Sequence, residues 1–367
     1  MHPDNAYRLV FWGPGHNGGL TLKEALRRPE FDVVGALVYS PDKDGVDVGE
    51  LVGEPPVGIK ATRDKEAIFE LDADCVIHGA RPTLDMTRTD DDVVRLLESG
   101  KNVISIVQYF YPPMRGGDVV ERLERACLTG GTTLHGSGIN PGFVLERLVL
   151  TLTGLMTTVR SIRMVELVEI SEAVNQSPNF VLSGFGMDLD EIHSGHPAAA
   201  VPDRMYREMI GFLADRLFDA RPEDVRIEGQ AGGIAASARY EIPALTVEPG
   251  KAIAVTHTHD AYLGDHRFFT HEAYWYLGKE NCPFPGVDGD SHYIVEIDGD
   301  PVTIRQRVDL QSVFPDVPTT SYVTAVPPLQ AVAQVCAAEP GFMYHDSRPH
   351  WTTDYRRLVT SRSTSRS

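Results

Sequence analysis

Cysteine, long apolar runs and positive charge are all scarce in this chain of 367 residues, and each scarcity excludes something. The four cysteines, Cys75, Cys127, Cys282 and Cys336, lie far apart and form no C-x-x-C pair. Neither a disulfide framework nor a cysteine-built zinc site is expected; free thiols in a reducing compartment are. No apolar run reaches the ~20 residues needed to span a bilayer, so no membrane contact is expected. The N-terminus Met-His-Pro-Asp-Asn lacks the basic-then-apolar order of a signal peptide, and a cytoplasmic location is expected. Lys and Arg total 34 against 52 Asp and Glu, a formal net charge of −18. With no basic stripe to neutralise phosphates, nucleic acid is not an expected partner. Gly136-Ser137-Gly138 lacks the G-x-S-x-G elbow, which removes support for Ser-His-Asp hydrolysis.

What is present is a glycine fingerprint near the start. Tyr7-Arg8-Leu9-Val10-Phe11-Trp12 runs straight into Gly13-Pro14-Gly15-His16-Asn17-Gly18, and a helix-like segment follows from Leu20 to Arg28. G-x-G-x-x-G between a strand and a helix predicts a dinucleotide site. Gly13 is expected to make the tight turn and Gly15 to let the backbone approach a pyrophosphate. Gly18 is expected to allow close helix–strand packing, with the helix N-terminus facing the phosphates.

The first 140 residues alternate strand and helix signals. Strands are expected at Leu9–Trp12, Phe31–Tyr39, Ala73–His78, Val103–Ile106 and Thr132–His135, with helices at Asp90–Glu98 and Asp118–Leu128. This alternation implies a doubly wound parallel sheet, with ligands outside the carboxyl ends of the strands. From Gly142 the pattern changes. One helix is expected to Leu155, then strand-like runs at Val159–Ile170, Val225–Glu228, Ile234–Tyr240, Ala252–Thr258, Phe268–Leu277, His292–Ile297 and Val302–Leu310. A helix at Asp203–Phe218 interrupts them, and Ile297–Pro301 reads as a hairpin turn. The expected fold class is α/β: an N-terminal Rossmann doubly wound parallel sheet over 1–140, then an α+β domain with a mostly antiparallel sheet over 141–325. A helix near 326–340 is expected to pack back on the first domain. The tail 360–367, rich in Ser, Arg and Thr, is expected to be disordered.

An acidic residue near the end of strand two marks NAD, through the ribose 2′-hydroxyl. Here Val38-Tyr39-Ser40-Pro41-Asp42-Lys43 puts Ser40 in that slot. Ser40 with Lys43 suits a 2′-phosphate, while Asp42 still suits a ribose. The cofactor is therefore read as NADP or NAD, with NADP favoured. His78, Gly79 and Ala80, at the end of strand three, join the candidate cofactor contacts.

Four segments carry a family resemblance. They are Gly13–Gly18; Val38-Tyr39-Ser40-Pro41 leading to Asp47-Val48-Gly49-Glu50-Leu51-Val52-Gly53; Gly100-Lys101-Asn102-Val103-Ile104-Ser105; and Gly136-Ser137-Gly138-Ile139-Asn140-Pro141-Gly142-Phe143. Together they resemble the dihydrodipicolinate reductase-like group that includes 2,4-diaminopentanoate dehydrogenase and the native amine dehydrogenases. The resemblance covers residues 7–150 and continues more loosely to 327–341. It implies an NAD(P)-dependent oxidoreductase acting at a C–N bond, oxidising a primary amine or reductively aminating a ketone or aldehyde with ammonia. It also implies a homodimer, and a place for Asn140 beside the nicotinamide carboxamide or the substrate. Asn140 equally suits a helix N-cap.

The chain departs from the family after the Gly-Lys-Asn-Val strand. Where relatives tend to carry a glutamate that handles the ammonium proton, it has Val107-Gln108-Tyr109. An amide cannot exchange a proton as a base must. Either another carboxylate serves, with Glu166, Glu169 and Glu172 as candidates, or the substrate enters as a free amine or preformed imine and Gln108 only positions it. The first is favoured. Among other constellations, the pair His257 and His259 suits a pocket lining better than a metal, since hydride chemistry belongs to the cofactor. His193 and His196 sit in a loop suited to covering a substrate. Tyr109, Phe110, Tyr111, Phe143, Phe180 and Phe185 suit an apolar wall. Two rivals stand beside the main reading. One is a reductase of a cyclic imine or dihydrodipicolinate-like substrate, for which Arg160 and Arg163 are the sparse basic candidates. The other is a protein that senses NAD(P) without turnover.

Overall fold

A computed structural model describes residues 6–80, 85–176, 183–193, 195–284, 287, 291–314, 319–347 and 351–358. The expectations for Phe180 and the 360–367 tail lie outside the described residues. The chain divides into two compact units, one made of 1–143 and 321–345, the other of 144–320 and 346–367.

The first unit alternates β1 (Tyr7–Trp12), α1 (His16–Leu26), β2 (Phe31–Leu37), α2 (Lys65–Glu70), β3 (Cys75–His78), α3 (Thr87–Glu98), β4 (Asn102–Ser105), α4 (Gly117–Gly130) and β5 (Thr133–Gly136). Strand residues alternate between two cores. Leu9 and Phe11 of β1 and Cys75 and Ile77 of β3 pack in one; Val10, Trp12 and Val76 pack in the other. A sheet buried on both faces explains the near-continuous apolar strands. The period-2 pattern is what makes each residue choose a face. The expected elements form, with shifted ends. α1 begins at His16 rather than Leu20, and α3 at Thr87 rather than Asp90. α2 had no counterpart in the sequence reading, although Asp64 caps it by accepting from the Glu66 and Ala67 amides.

In the second unit, a π-helical stretch over Val144–Val149 runs into α5 (Leu150–Thr153), where one continuous helix from Gly142 was expected. Then come β6 (Thr158–Glu169), α6 (Ser171–Gln176), α7 (Pro197–Phe218), β7 (Val225–Ala235), β8 (Tyr240–Ile242), β9 (Leu245–Val247), β10 (Ala252–Leu263), β11 (His266–Tyr276), β12 (Ser291–Asp300) and β13 (Ile304–Leu310). Six strands form a sheet in the order β13-β12-β6-β11-β10-β7. It is mostly antiparallel, as expected; β6 and β11 pair in parallel. Two expectations are corrected. The separate runs 225–228 and 234–240 are one strand, β7, followed by the small β8–β9 hairpin. β12 continues to Asp300, so the chain reverses after it rather than over 297–301.

The chain then returns to the first unit. α8 (Thr319–Ala337) supplies Leu329, Ala331, Val332 and Val335 to the core around Leu9 and Phe11, and β14 (Gly341–Phe342) pairs with β5. The first sheet is thereby six-stranded and wholly parallel, in the order β14-β5-β4-β3-β1-β2. Among the described residues no helix is long and apolar enough to cross a membrane.

Candidate functional site

Strand order in the first sheet reverses between β1 and β3, because β1 connects to β2 on one side while β3 lies on the other. A parallel sheet opens a crevice at such a point, beyond the carboxyl ends of its strands. Gly13 stands there. Its φ is +67°, and a Cβ on it would lie 3.0 Å from the Ala80 Cα, so the turn after β1 requires glycine. Its amide donates to the Leu37 carbonyl (2.9 Å), and the Gly79 amide donates to the Trp12 carbonyl (2.9 Å), which ties the ends of β1, β2 and β3 together. Gly15 is the N-cap of α1. No side chain caps the helix, and no acidic residue occupies its first turn. A Cβ on Gly15 would meet nothing within 4 Å. Among the described residues no side-chain cap hydrogen bond closes the start of α1, and the turn has room above Gly15.

One expectation for the fingerprint changes. Gly18 was read as the close-packing glycine, yet a Cβ there would meet its nearest atoms at 3.7–3.9 Å, ordinary contact. Gly79 is tighter, at 3.2 Å from Ile106 and 3.3 Å from the Gly13 carbonyl. His16 has a partner within the fold, its Nε2 lying 2.8 Å from the Ser321 hydroxyl on α8. The Asn17 carbonyl accepts from Thr21 Oγ1 (3.0 Å), and Pro14 fills the turn between Gly13 and Gly15.

Beyond β2, the Ser40 hydroxyl donates to the Asp42 carboxylate, and both are exposed beside Lys43. Sequence reasoning missed Arg63. A bridge between Leu37 and Thr62 brings this exposed residue alongside, and its Nε donates to the Tyr39 carbonyl (3.1 Å). No local motif marks it; only the bridge does.

At the ends of β3 and β4, His78 is fully buried, and its Nδ1 lies 3.3 Å from Ser105 Oγ. Burial lowers its imidazole to about 4, so it is neutral at pH 7. Ser105 Oγ also accepts from the Gln108 amide N–H (3.2 Å). The Gln108 side chain is 5% exposed, and among the described residues neither of its polar atoms has a hydrogen-bond partner. Asn140 is half-buried in the turn after β5; helical structure begins only at Val144, so the N-cap alternative loses its position.

The second-unit candidates have defined partners. Glu166 is buried on β6, where its Oε1 accepts from Trp275 Nε1 (3.0 Å) and Tyr206 OH (3.5 Å). Glu169 Oε1 accepts from the backbone amides of Ser171 (3.0 Å) and Gly278 (2.9 Å). Glu172 lies beyond β6, which ends at Glu169, and sits on α6 beside Asn175. His257 and His259 share a buried face of β10. His259 Nε2 lies 3.0 Å from Asp203 Oδ1 on α7 and its Nδ1 lies 3.5 Å from His271 Nδ1. Among the described residues no three His, Cys, Asp or Glu side chains are arranged to hold a metal. Arg160 is held by Asp298 and Asp300, and Arg163 by Glu272 and Glu296. His193 Nδ1 accepts from the Gly195 amide. Tyr109, Phe110, Tyr111 and Phe185 are buried in the cores of their own units, and Phe143 is exposed.

The architecture is a doubly wound parallel unit and an α+β unit, and known proteins share it. No protein-family model matches the chain. An amine dehydrogenase of Streptomyces virginiae is 30% identical over 185 residues, 49% of this chain and 51% of that protein. A 2,4-diaminopentanoate dehydrogenase of Acetoanaerobium sticklandii is 26% identical over 223 residues, 57% of this chain and 60% of that protein. The chain thus spans 51–60% of the length of these curated relatives. The solved structure of an amine dehydrogenase from Mycobacterium smegmatis superposes with a TM-score of 0.72 at 19% identity, covering 94% of this chain and 96% of that one. That likeness shows a shared fold across both units.

Proposed function

We propose that the chain is an NAD(P)-dependent oxidoreductase acting on a carbon–nitrogen bond, deaminating a primary amine oxidatively or aminating a ketone or aldehyde reductively with ammonia. The observation that carries it is the turn after β1. A glycine-only bend at the point of strand reversal opens an uncapped helix N-terminus, which fits a pyrophosphate. The names of the two curated relatives supply the bond class.

In this reading Gly13, Pro14 and Gly15 with the amides of His16, Asn17 and Gly18 hold the pyrophosphate. Ser40, Lys43 and Arg63 hold the adenosine ribose, and their hydroxyl and two cations favour a 2′-phosphate, hence NADP. His78, Gly79 and Ala80 flank the crevice, and Asn140 lies toward the nicotinamide end. The bound cofactor supplies or accepts the hydride. The chain's own groups bind, orient and exclude water. Glu169 is engaged by two backbone amides and Glu166 by two side-chain donors, so neither is given a catalytic part. The engagement of Arg160 and Arg163 by carboxylates of the chain disfavours a dicarboxylate substrate. A homodimer in the cytoplasm belongs to the same reading, from the resemblance and the four free thiols.

The test is NAD(P)H formation with primary amines, diamines and amino acids at alkaline pH, and NAD(P)H loss with ketones and aldehydes in ammonium buffer, each with both cofactors. Turnover that requires an amine or ammonia is expected, with lower KM for NADPH than for NADH. Tight NAD(P)H binding with no turnover on either panel would sink the dehydrogenase reading in favour of a sensor.

A further inference from the structure

The Gln108 side chain is nineteen-twentieths buried, and neither of its amide atoms has a partner among the described residues. A buried polar group without a partner costs stability that a leucine of similar size would not. The turn that presents it is nonetheless held from several sides. Tyr109, the next residue, has a φ of +64°, a region that bulky residues seldom occupy. Its hydroxyl donates to Asp90 Oδ1 (2.7 Å), and Asp90 pairs through both oxygens with Arg115 at 2.9 and 2.7 Å. All three side chains are buried. Beneath the turn, β5 carries Gly136, where a Cβ would lie 2.5 Å from the Tyr109 carbonyl oxygen. Ser105 fixes the turn from the other end by accepting the Gln108 backbone N–H. Strain that is over-determined in this way, around a side chain with no partner, is the mark of a group kept for a ligand.

We propose that Gln108 docks the uncharged polar atom of the substrate, an imine nitrogen or a ketone oxygen, and that the Asp90–Arg115–Tyr109 brace positions it. The inference rests on the oxidoreductase reading and names the form in which that site takes its substrate. An amide offers a donor to a C=N or C=O lone pair and an acceptor to an imine N–H. It offers no negative charge to an alkylammonium, whose burial without a counter-charge is costly. The ionisable groups facing the turn do not change this. Asp90 is locked to Arg115. Burial and Asp90 push the Tyr109 phenol well above 10, and burial holds His78 down at about 4. Tyr109, Asp90 and Arg115 are therefore positioning residues, and the amine must reach Gln108 as its free base.

The test compares the full chain with Q108L, Q108E and Y109F. Without cofactor, Q108L raises the thermal midpoint by about 1–3 °C, since two unpaired polar atoms leave the core. With hexylamine and NADP, log kcat/KM of the natural sequence climbs with unit slope to about pH 10, the pKa of a primary amine. Q108L lowers kcat/KM by about 100-fold while the Kd for NADPH stays within two-fold. Q108E levels the climb near pH 7, because a carboxylate accepts the ammonium form. Y109F keeps the pH profile and the NADPH Kd but lowers kcat/KM by about 5–10-fold. A Q108L midpoint that falls makes Gln108 a structural amide and overturns the proposal. So does a Q108L kcat/KM within two-fold of the natural sequence, or a natural profile that levels between pH 5 and 7. No turnover of any amine or carbonyl, with NADPH bound, removes the oxidoreductase reading and this inference with it. Turnover that Q108L leaves intact removes the inference alone.

Discussion

Each unit buries a nest of polar side chains in its sheet, and the two nests differ in whether the side chain at the centre, Gln108 or Glu166, finds its partners within the described chain. In the first unit, His78, Ser105 and Gln108 are linked at one end, but the Gln108 amide and His78 Nε2 have no partner. In the second, Glu166 holds Trp275 and Tyr206, and Asp203 holds His259, while His257 Nε2 and His271 Nε2 have no partner among the described residues. The glutamate lies in a cross-strand row that reads Ala231, His257, Ala273, Glu166, Tyr293 across five strands. A side chain whose hydrogen bonds close within the chain, as those of Glu166 do, serves the fold; one left open at strand ends, as Gln108 is, can meet a ligand.

The largest effect that would break this contrast is on Glu166. E166L leaves Trp275 Nε1–H and the Tyr206 hydroxyl without their acceptor in a buried setting. The expected cost is about 2–4 kcal/mol, read as a thermal midpoint lower by roughly 5–12 °C. Q108L moves the midpoint the other way. If E166L is neutral in stability while turnover is abolished, the second nest is functional and the contrast fails.

Acid sharpens the comparison. Burial, with His259 adding to it, lowers His257 to about 4, and burial with both neighbouring imidazoles holds His271 well below 6.5. The unfolded chain, with histidine near 6.5, therefore binds more protons than the folded one between those values. Stability is fully present above about 6.5 and is lost as pH falls toward 4. His257 alone contributes a loss of about 2 kcal/mol between pH 7 and 5. The first unit carries His78, also lowered to about 4 by burial. Hydrogen exchange at pH 7 and pH 5, corrected for intrinsic rates, should show β10 and β11 losing more protection than β1, β3 and β4. Equal losses would mean that the buried His257 and His271 rings have a relaxed, proton-accepting form.

How much of this was legible in the sequence follows from where the physics is local. The parallel sheet was, because an apolar strand followed by a helix repeats and each strand carries its own signal. β7 was not: Gly229, Gly232 and Gly233 lower strand propensity in its middle, so it read as two runs. Gly229 is there for a non-local reason, since a Cβ on it would lie 2.7 Å from Asp203 Oδ1 and 3.1 Å from the His259 ring. α8 was expected only near 326–340, whereas the helix starts at Thr319 and carries Pro327 and Pro328 inside it. At the candidate site the glycine turn was readable from spacing alone. Arg63 was not, because a bridge between distant segments places it, and neither was the brace, since nothing in the sequence ties Asp90 to Arg115 and Tyr109.

The smallest expected effect bears on what the fold asks of the fingerprint, as against what a ligand asks. Gly13 is demanded by the chain itself, through its positive φ and the nearness of Ala80. Gly18 lies inside α1, where an added methyl would touch Gly13, Ile106 and Gly79 only at ordinary distances. Alanine is the better helix former by up to about 1 kcal/mol, so G18A should be neutral or more stable by about 0.5 kcal/mol. Its Kd for NADPH should stay within about three-fold if backbone amides alone make the contact. A tenfold or larger loss of NADPH affinity at unchanged stability would show that the ligand, not the fold, needs the missing side chain at position 18. The open turn after β1 and the open amide of Gln108 would then be two parts of one surface shaped from outside the chain.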